Sequence, residues 1–233
     1  RDRSPSRGLG DVYKRQSFCV SKIFINIYIG IMTMVLVTRQ APDFTCAAVL
    51  GNGEIVNNFN FKKHINGKAA VLFFYPLDFT FVCPSELIAF DHRYEEFKKR
   101  GVEVVGVSID SEFTHNAWRN TPTENGGIGA VKYALAADVK HEIAKAYGIE
   151  HPEEGVALRG SFLIDKNGIV RHQVVNDLPL GRNIDEMLRM VDALQFHEEH
   201  GEVCPAQWEK GKEGMKDSPE GVAKYLKQNA DKL

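Results

Sequence analysis

The sequence predicts an α/β domain with a central mixed sheet flanked by helices, and three observations carry that expectation. Residues 69–75 (AAVLFFY) and 102–109 (VEVVGVSI) are short, continuous apolar runs, the pattern of strands buried on both faces. Between them, Leu87, Phe90, Tyr94 and Phe97 recur at helical spacing. Farther along, residues 161–164 and 169–175 flank Lys166-Asn167-Gly168, a hairpin signal that adds antiparallel neighbours to the parallel pair.

Each element has its own local reason. Residues 35–60 carry turn punctuation at Gly51-Asn52-Gly53, which predicts a small hairpin. The helix after the first buried strand has Pro84 in its first turn and ends at Arg100-Gly101. A helix follows over 112–119, then a strand over 132–137 and a helix over 140–147 closed by Gly148. Ile184, Met187, Leu188, Val191 and Leu194 mark the last long helix of the core. The tail from His200 to Leu233 is polar, with a weak helix near 220–229. A right-handed strand–helix–strand crossover brings the end of strand 69–75 and the start of helix 84–100 to the same edge of the sheet.

Composition bounds the function. A chain of 233 residues with 43% apolar and 26% charged residues is ordinary globular material, and a net charge of −2 leaves no electrostatic footprint for nucleic acid. Four cysteines, Cys19, Cys46, Cys83 and Cys204, are too few for a secreted disulfide scaffold, and none forms a C-x-x-C pair. No G-x-G-x-x-G or G-x-x-x-x-G-K-[ST] occurs, so nucleotide binding has no support, and His141-Glu142 lacks the second histidine of a zinc-protease motif. His197, His200 and Cys204 have ligand-like spacing, but no metal is expected there.

Residues 1–33 differ from the rest. The first sixteen are basic, Ser/Gly-rich and aperiodic, and residues 18–37 are mostly apolar but interrupted by Ser21, Lys22 and Asn26. A signal peptide would want a small-residue cleavage site that Thr38-Arg39-Gln40-Ala41 does not supply, and a membrane span would be marginal in length. The favoured reading is a non-native or disordered leader upstream of a start at Met32 or Met34, because RSPSRGLGDVYKRQ resembles translated cloning or adapter sequence. The division expected is therefore 1–33 leader, 34–199 catalytic domain, and 200–233 C-terminal arm.

Cys83 directly precedes Pro84, at the start of the predicted helix, where free backbone N–H groups and the positive end of the helix dipole favour a thiolate. A plain buried cysteine is the competing reading of position alone. The neighbours decide. The run FYPLDFTFVCPSE contains P-x-x-x-T-x-x-C, filled by Pro76, Thr80 and Cys83, and it resembles the active site of the two-cysteine peroxiredoxins. LVTRQAPDFT and ENGGIGAVKY add likeness to the bacterial alkyl hydroperoxide reductase C-type group, so that the resemblance spans residues 34–233.

The resemblance implies a thioredoxin-like fold and a thiol-dependent peroxidase that reduces hydrogen peroxide and organic hydroperoxides in antioxidant defence. It makes Cys83 the peroxide-attacking sulfur, Thr80 a bridge between thiolate and peroxide, Pro76 a wall against water, and Arg159 the cation beside the reacting oxygens. Glu86 and the supporting Arg182 would pair behind them. Cys204, in HGEVCPAQW, matches the resolving cysteine that condenses with the Cys83 sulfenic acid of the partner subunit. An obligate homodimer, a ring of dimers such as a decamer, and a flavoprotein disulfide reductase or thioredoxin as electron donor are implied. The expected location is cytoplasmic, with no membrane partner, no nucleic acid and no cofactor. Gly126-Gly127-Ile128-Gly129 matches a loop of overoxidation-sensitive members, whereas Tyr225-Leu226 replaces their Tyr-Phe tail motif, so intermediate sensitivity is expected. A Cys–His hydrolase would need a histidine base beside Cys83, where this motif has Thr and Arg. A holdase chaperone role, which some members acquire when overoxidised, is the non-enzymatic alternative. Cys46, Trp118 and Trp208 are expected to be packing residues.

Overall fold

The central sheet is apolar on both faces, and each face has to be covered by helices. The computed structural model describes residues 35–233; the leader expected over 1–33, with Cys19, lies outside the described residues. In chain order the elements are β1 (Thr45–Val49), β2 (Ile55–Asn60), α1 (Phe61–Ile65), β3 (Ala69–Phe74), α2 (Cys83–His92), α3 (Tyr94–Lys99) and β4 (Val102–Ser108). There follow α4 (Glu112–Arg119), β5 (Ala134–Ala137), α5 (Glu142–Ala146), β6 (Arg159–Ile164), β7 (Val170–Asn176), α6 (Ile184–His200) and α7 (Pro219–Asn229).

The described strands form one seven-stranded sheet in the order β2-β1-β5-β4-β3-β6-β7. β3, β4 and β5 are parallel, and the flanking pairs are antiparallel, which makes the sheet mixed as predicted. The continuous apolar run of β3 is explained by its central place. Ala70, Leu72 and Phe74 pack on one face with α1 and α5, while Val71 and Phe73 pack on the other with α2, α3, α4 and α6. The second face also takes Cys83 into its core, in the same apolar cluster as Tyr75, Leu87 and the α6 residues Ile184 and Met187.

Where the structure departs from the sequence pattern, a tertiary contact or a cap is responsible. The helix expected over 84–100 is two helices, broken at Arg93, whose backbone leaves helical geometry at φ −102° and ψ 2°. Leu87, Phe90, Tyr94 and Phe97 still contribute to one apolar face, so periodicity does not reveal the break; the Arg93 side chain is paired with Asp185 at the start of α6. The helix expected over 140–147 shortens to α5. Its first N–H groups are capped by Asp138, whose carboxylate accepts from Ile143 N at 3.0 Å and Ala144 N at 2.7 Å, while His141 turns through the left-handed region at φ 60°. The strand expected over 132–137 begins at Ala134.

α6 ends at Gly201, and the following segment folds back on it. A two-way bridge joins Val203 and Met215, and buried Trp208 packs on Phe196 with its carbonyl accepting from Arg189 Nη1 at 2.8 Å. Among the described residues, no helix is long and apolar enough to cross a membrane.

Candidate active site

Cys83 is the first residue of α2 and is completely buried. Val82 precedes the helix without a side-chain cap, and Pro84 fills the next position, where its missing N–H costs nothing. The thiol therefore belongs to the first residue of a ten-residue helix, at the positive end of its dipole.

One turn further, Glu86 is only 3% exposed and receives two arginines. Arg159, at the start of β6 and also 3% exposed, donates from Nη1 to Glu86 Oε2 at 2.8 Å and to Cys83 Sγ at 3.4 Å. Its Nε donates to the Leu178 carbonyl at 2.6 Å, which fixes the plane of the guanidinium. Arg182 reaches the other side of the carboxylate: Nε meets Oε1 at 2.8 Å, Nη2 meets Oε2 at 2.9 Å, and its backbone N–H meets Oε1 at 2.9 Å. Arg182 also donates to Gly160 O at 2.5 Å and Ser161 Oγ at 3.0 Å, and lies over the Phe73 ring. Burial alone would raise the Glu86 carboxyl, but the hydrogen bonds and charges of Arg182 and Arg159 outweigh it and hold the group below the ordinary glutamate range. The result is a cation pinned against the sulfur by a carboxylate that stays ionised.

The structure thus brings together Cys83, Glu86, Arg159 and Arg182. Pro76 is buried in the loop between β3 and α2. Thr80 lies in the same loop, three residues before Cys83, and its hydroxyl donates to the Leu77 carbonyl at 2.8 Å. That bond uses the only proton of Thr80 and leaves its oxygen as an acceptor. Cys204 lies apart from this group, with Sγ 3.5 Å from the Ala193 carbonyl of α6, beside a cavity of about 270 Å³ lined by Leu163, Arg171, Leu194 and His197. Burial pushes its thiol up, and the nearby Arg189 opposes that in part. Cys46 borders the core on the opposite face of the sheet, where burial pushes its thiol up to about 12.

Two features were missed by sequence reasoning. The Leu178 carbonyl, which orients Arg159, has no side-chain signature. A buried cluster of Tyr75, Asp78 and His115 joins the Pro76–Val82 loop to α4, and its members are too far apart in sequence to form a motif. Among the described residues, no group of three or more His, Cys, Asp or Glu side chains is placed to hold a metal ion.

A buried cysteine at a helix start, faced by an arginine that a carboxylate holds in place, is an arrangement suited to thiol chemistry on a mixed α/β scaffold. The comparisons with known proteins agree. Residues 37–173 match the AhpC/TSA family, and residues 193–228 match the C-terminal domain of 1-Cys peroxiredoxin. Alkyl hydroperoxide reductase C of Buchnera aphidicola subsp. Schizaphis graminum is 63% identical over 194 residues, 83% of this chain and 98% of that protein. The protein of the same name from Helicobacter pylori is 59% identical over 198 residues, 85% of this chain and all of that one. Among solved structures, the reduced 2-Cys peroxiredoxin of Plasmodium vivax superposes with a TM-score of 0.79 at 49% identity, covering 83% of this chain and 99% of that one. The chain belongs to the AhpC/TSA family and is a peroxiredoxin of the two-cysteine type with the thioredoxin-like fold.

Proposed function

We propose that the protein reduces hydrogen peroxide and organic hydroperoxides through Cys83, with Cys204 of a second copy as the resolving thiol. The observation that carries this reading is the 3.4 Å approach of Arg159 Nη1 to Cys83 Sγ, with Glu86 fixing the same nitrogen. The thiolate attacks one peroxide oxygen; an S–O bond forms as the O–O bond breaks. The departing oxygen leaves as water or alcohol after taking a proton, and Cys83 becomes a sulfenic acid. Negative charge grows on the departing oxygen beside a permanent cation that is already in place. Thr80, its proton engaged by Leu77, accepts the hydrogen bond of the peroxide O–H, and Pro76 offers no N–H to compete. Arg182 and Glu86 act from behind by holding Arg159.

Cys204 then attacks the sulfenic sulfur, releasing water and forming a disulfide, which a flavoprotein disulfide reductase or thioredoxin returns to two thiols. The division of labour follows: 34–199 forms the peroxidase domain and 200–233 the arm that carries the resolving thiol. Assembly as a homodimer is supported by β7, which among the described strands ends the sheet as an edge, paired on its outer side by Thr38 and Arg39 at Val170. Further assembly into a ring of dimers is supported by an exposed aromatic group, Phe79 at 51%, Phe81 at 98% and Phe113 at 68%. The expected location is cytoplasmic, where reductants for the disulfide are available.

Non-reducing electrophoresis after one equivalent of hydrogen peroxide tests the cycle. Wild type is expected to run as a reducible dimer and Cys204→Ser as a monomer with a sulfenic acid on Cys83. A peroxide-dependent disulfide dimer of Cys204→Ser would remove Cys204 from the resolving role.

Overoxidation follows from the tail. α7, which carries Tyr225 and Leu226, has no buried residue, so little apolar packing holds it against opening of the arm. Sulfinic acid is expected to accumulate on Cys83 at peroxide excesses intermediate between those of sensitive and resistant relatives. Mass spectrometry across a peroxide titration measures this, and complete resistance at high excess would contradict it.

A further inference from the structure

Between the first buried strand and the catalytic helix lies a group of ionisable side chains that the peroxidase chemistry does not use. Asp78 stands in the Pro76–Val82 loop, five residues before Cys83, and is pinned twice. Its backbone N–H donates to Asp110 Oδ2 at 2.8 Å. Its carboxylate receives the Tyr75 hydroxyl on Oδ1 at 2.8 Å and faces His115 Nδ1 from Oδ2 at 2.7 Å. The side chains of Asp78 and His115 are both fully buried. The other ring nitrogen of His115, Nε2, faces the Ala136 carbonyl of β5 at 3.3 Å.

A count of protons is decisive. The Ala136 carbonyl can only accept, so Nε2 must carry a hydrogen. The 2.7 Å contact between Nδ1 and Oδ2 needs a second proton between them, whichever atom owns it. The Tyr75 hydroxyl also lies 3.3 Å from Nδ1, but its one proton goes to Asp78 Oδ1. Removing the shared proton would therefore leave a nitrogen lone pair against a carboxylate, or would orphan Nε2 at Ala136, in a place water does not reach. The titratable groups facing the pair are Tyr75, just after β3, and Asp110 from the loop after β4; β5 contributes the Ala136 carbonyl. Neither titratable neighbour is a cation that could replace the missing charge.

We infer that His115 is a positioning residue for the peroxidase reaction: with Asp78 it forms a buried, proton-holding brace that sets the loop leading into Cys83 and ties it to α4. Phe79, next to Asp78, sits in the left-handed region at φ 55°, and its ring lies 5.7 Å from that of Trp118 on α4, so the brace fixes a strained loop from both sides. Burial raises the Asp78 carboxyl, which favours retention of the shared proton. As pH rises and the proton leaves, the loop loosens and turnover falls.

The inference rests on Cys83 as the peroxide-attacking sulfur, and the variants separate the two. In Asp78→Asn the amide donates to neutral Nδ1, Nε2 still donates to Ala136, and the amide oxygen still receives the Tyr75 hydroxyl, so every bond survives without a proton to lose. Stopped-flow kcat/KM for hydrogen peroxide is therefore measured against pH for wild type, Asp78→Asn, His115→Phe and Cys83→Ser. His115→Phe is expected to lose about tenfold or more in kcat/KM. Asp78→Asn is expected to stay within about threefold of wild type at neutral pH, as expected when each lost bond is replaced, and to lack the alkaline fall. An Asp78→Asn profile that tracks wild type through the alkaline range would overturn the brace, as would His115→Phe at wild-type kcat/KM. Should His115→Phe fail to fold, the comparison of wild type with Asp78→Asn decides alone. Peroxide consumption surviving in Cys83→Ser would instead overturn the underlying assignment.

Discussion

Replacing Cys83 by serine is expected to lower peroxide consumption by a factor on the order of 10⁴ or more, the scale on which loss of a covalent nucleophile acts. The substitution changes one buried atom at the first position of α2 and leaves Pro84 and the Glu86–arginine network untouched. A hydroxyl at that position stays protonated at neutral pH, so the helix end and Arg159 have no anion to stabilise. The other described thiols cannot substitute. Cys46 is pushed up to about 12 by burial and remains a thiol at neutral pH, and Cys204 stands against the Ala193 carbonyl, where burial pushes its thiol up despite the nearby Arg189. Single-turnover peroxide loss and trapping of the sulfenic acid by a carbon nucleophile make the comparison. Cys46→Ser and Cys204→Ser should both retain the first turnover. Consumption by Cys83→Ser within tenfold of wild type would place the reactive sulfur elsewhere.

The parts of this site that were legible in the sequence are those written locally. Cys83-Pro84 announces a cysteine at a helix start because proline is tolerated only in the first turn. The burial of β3 on both faces follows from an unbroken apolar run, and the β6–β7 hairpin from Asn167-Gly168, whose glycine adopts φ 81°. Arg159 and Arg182 lie 73 and 96 residues from Glu86 and could be paired with it only through the family pattern. What stayed hidden depends on neighbours brought together by folding. The break at Arg93 coincides with its pairing to Asp185, and the Asp78–His115 contact joins residues 37 apart. The motif makes Thr80 a bridge between thiolate and peroxide, and in the structure its proton closes the turn onto Leu77. A hydroxyl with one donor and two acceptor positions can do the local and the catalytic task together, which a motif does not express.

Glu86→Gln is expected to cost about 3–5 kcal/mol of stability at neutral pH, the range for breaking a buried ion pair by removing one partner. Four donors converge on the carboxylate: Arg159 Nη1 and the backbone N–H, Nε and Nη2 of Arg182. Glutamine of the same shape keeps one acceptor and turns an NH₂ toward guanidinium groups that have nothing to accept with. Both arginines then remain buried without a counter-charge. Activity should fall as well, by about 10²-fold in kcat/KM, since Arg159 loses the contact that steadies it beside Cys83. The pH dependence distinguishes charge from shape. Glu86 titrates lower in the folded protein than the value of about 4.3 expected of an unfolded chain, so its stabilisation is complete above that value. It is lost as pH falls through the folded value, because the unfolded state then binds the proton more readily. Glutamine cannot titrate, so the gap between wild type and variant in urea unfolding should be constant near neutrality and close on acidification. A gap that persists undiminished at pH well below about 4 would assign the cost to packing rather than to the ionised carboxylate, and no gap at neutral pH would mean that the two arginines do not need Glu86.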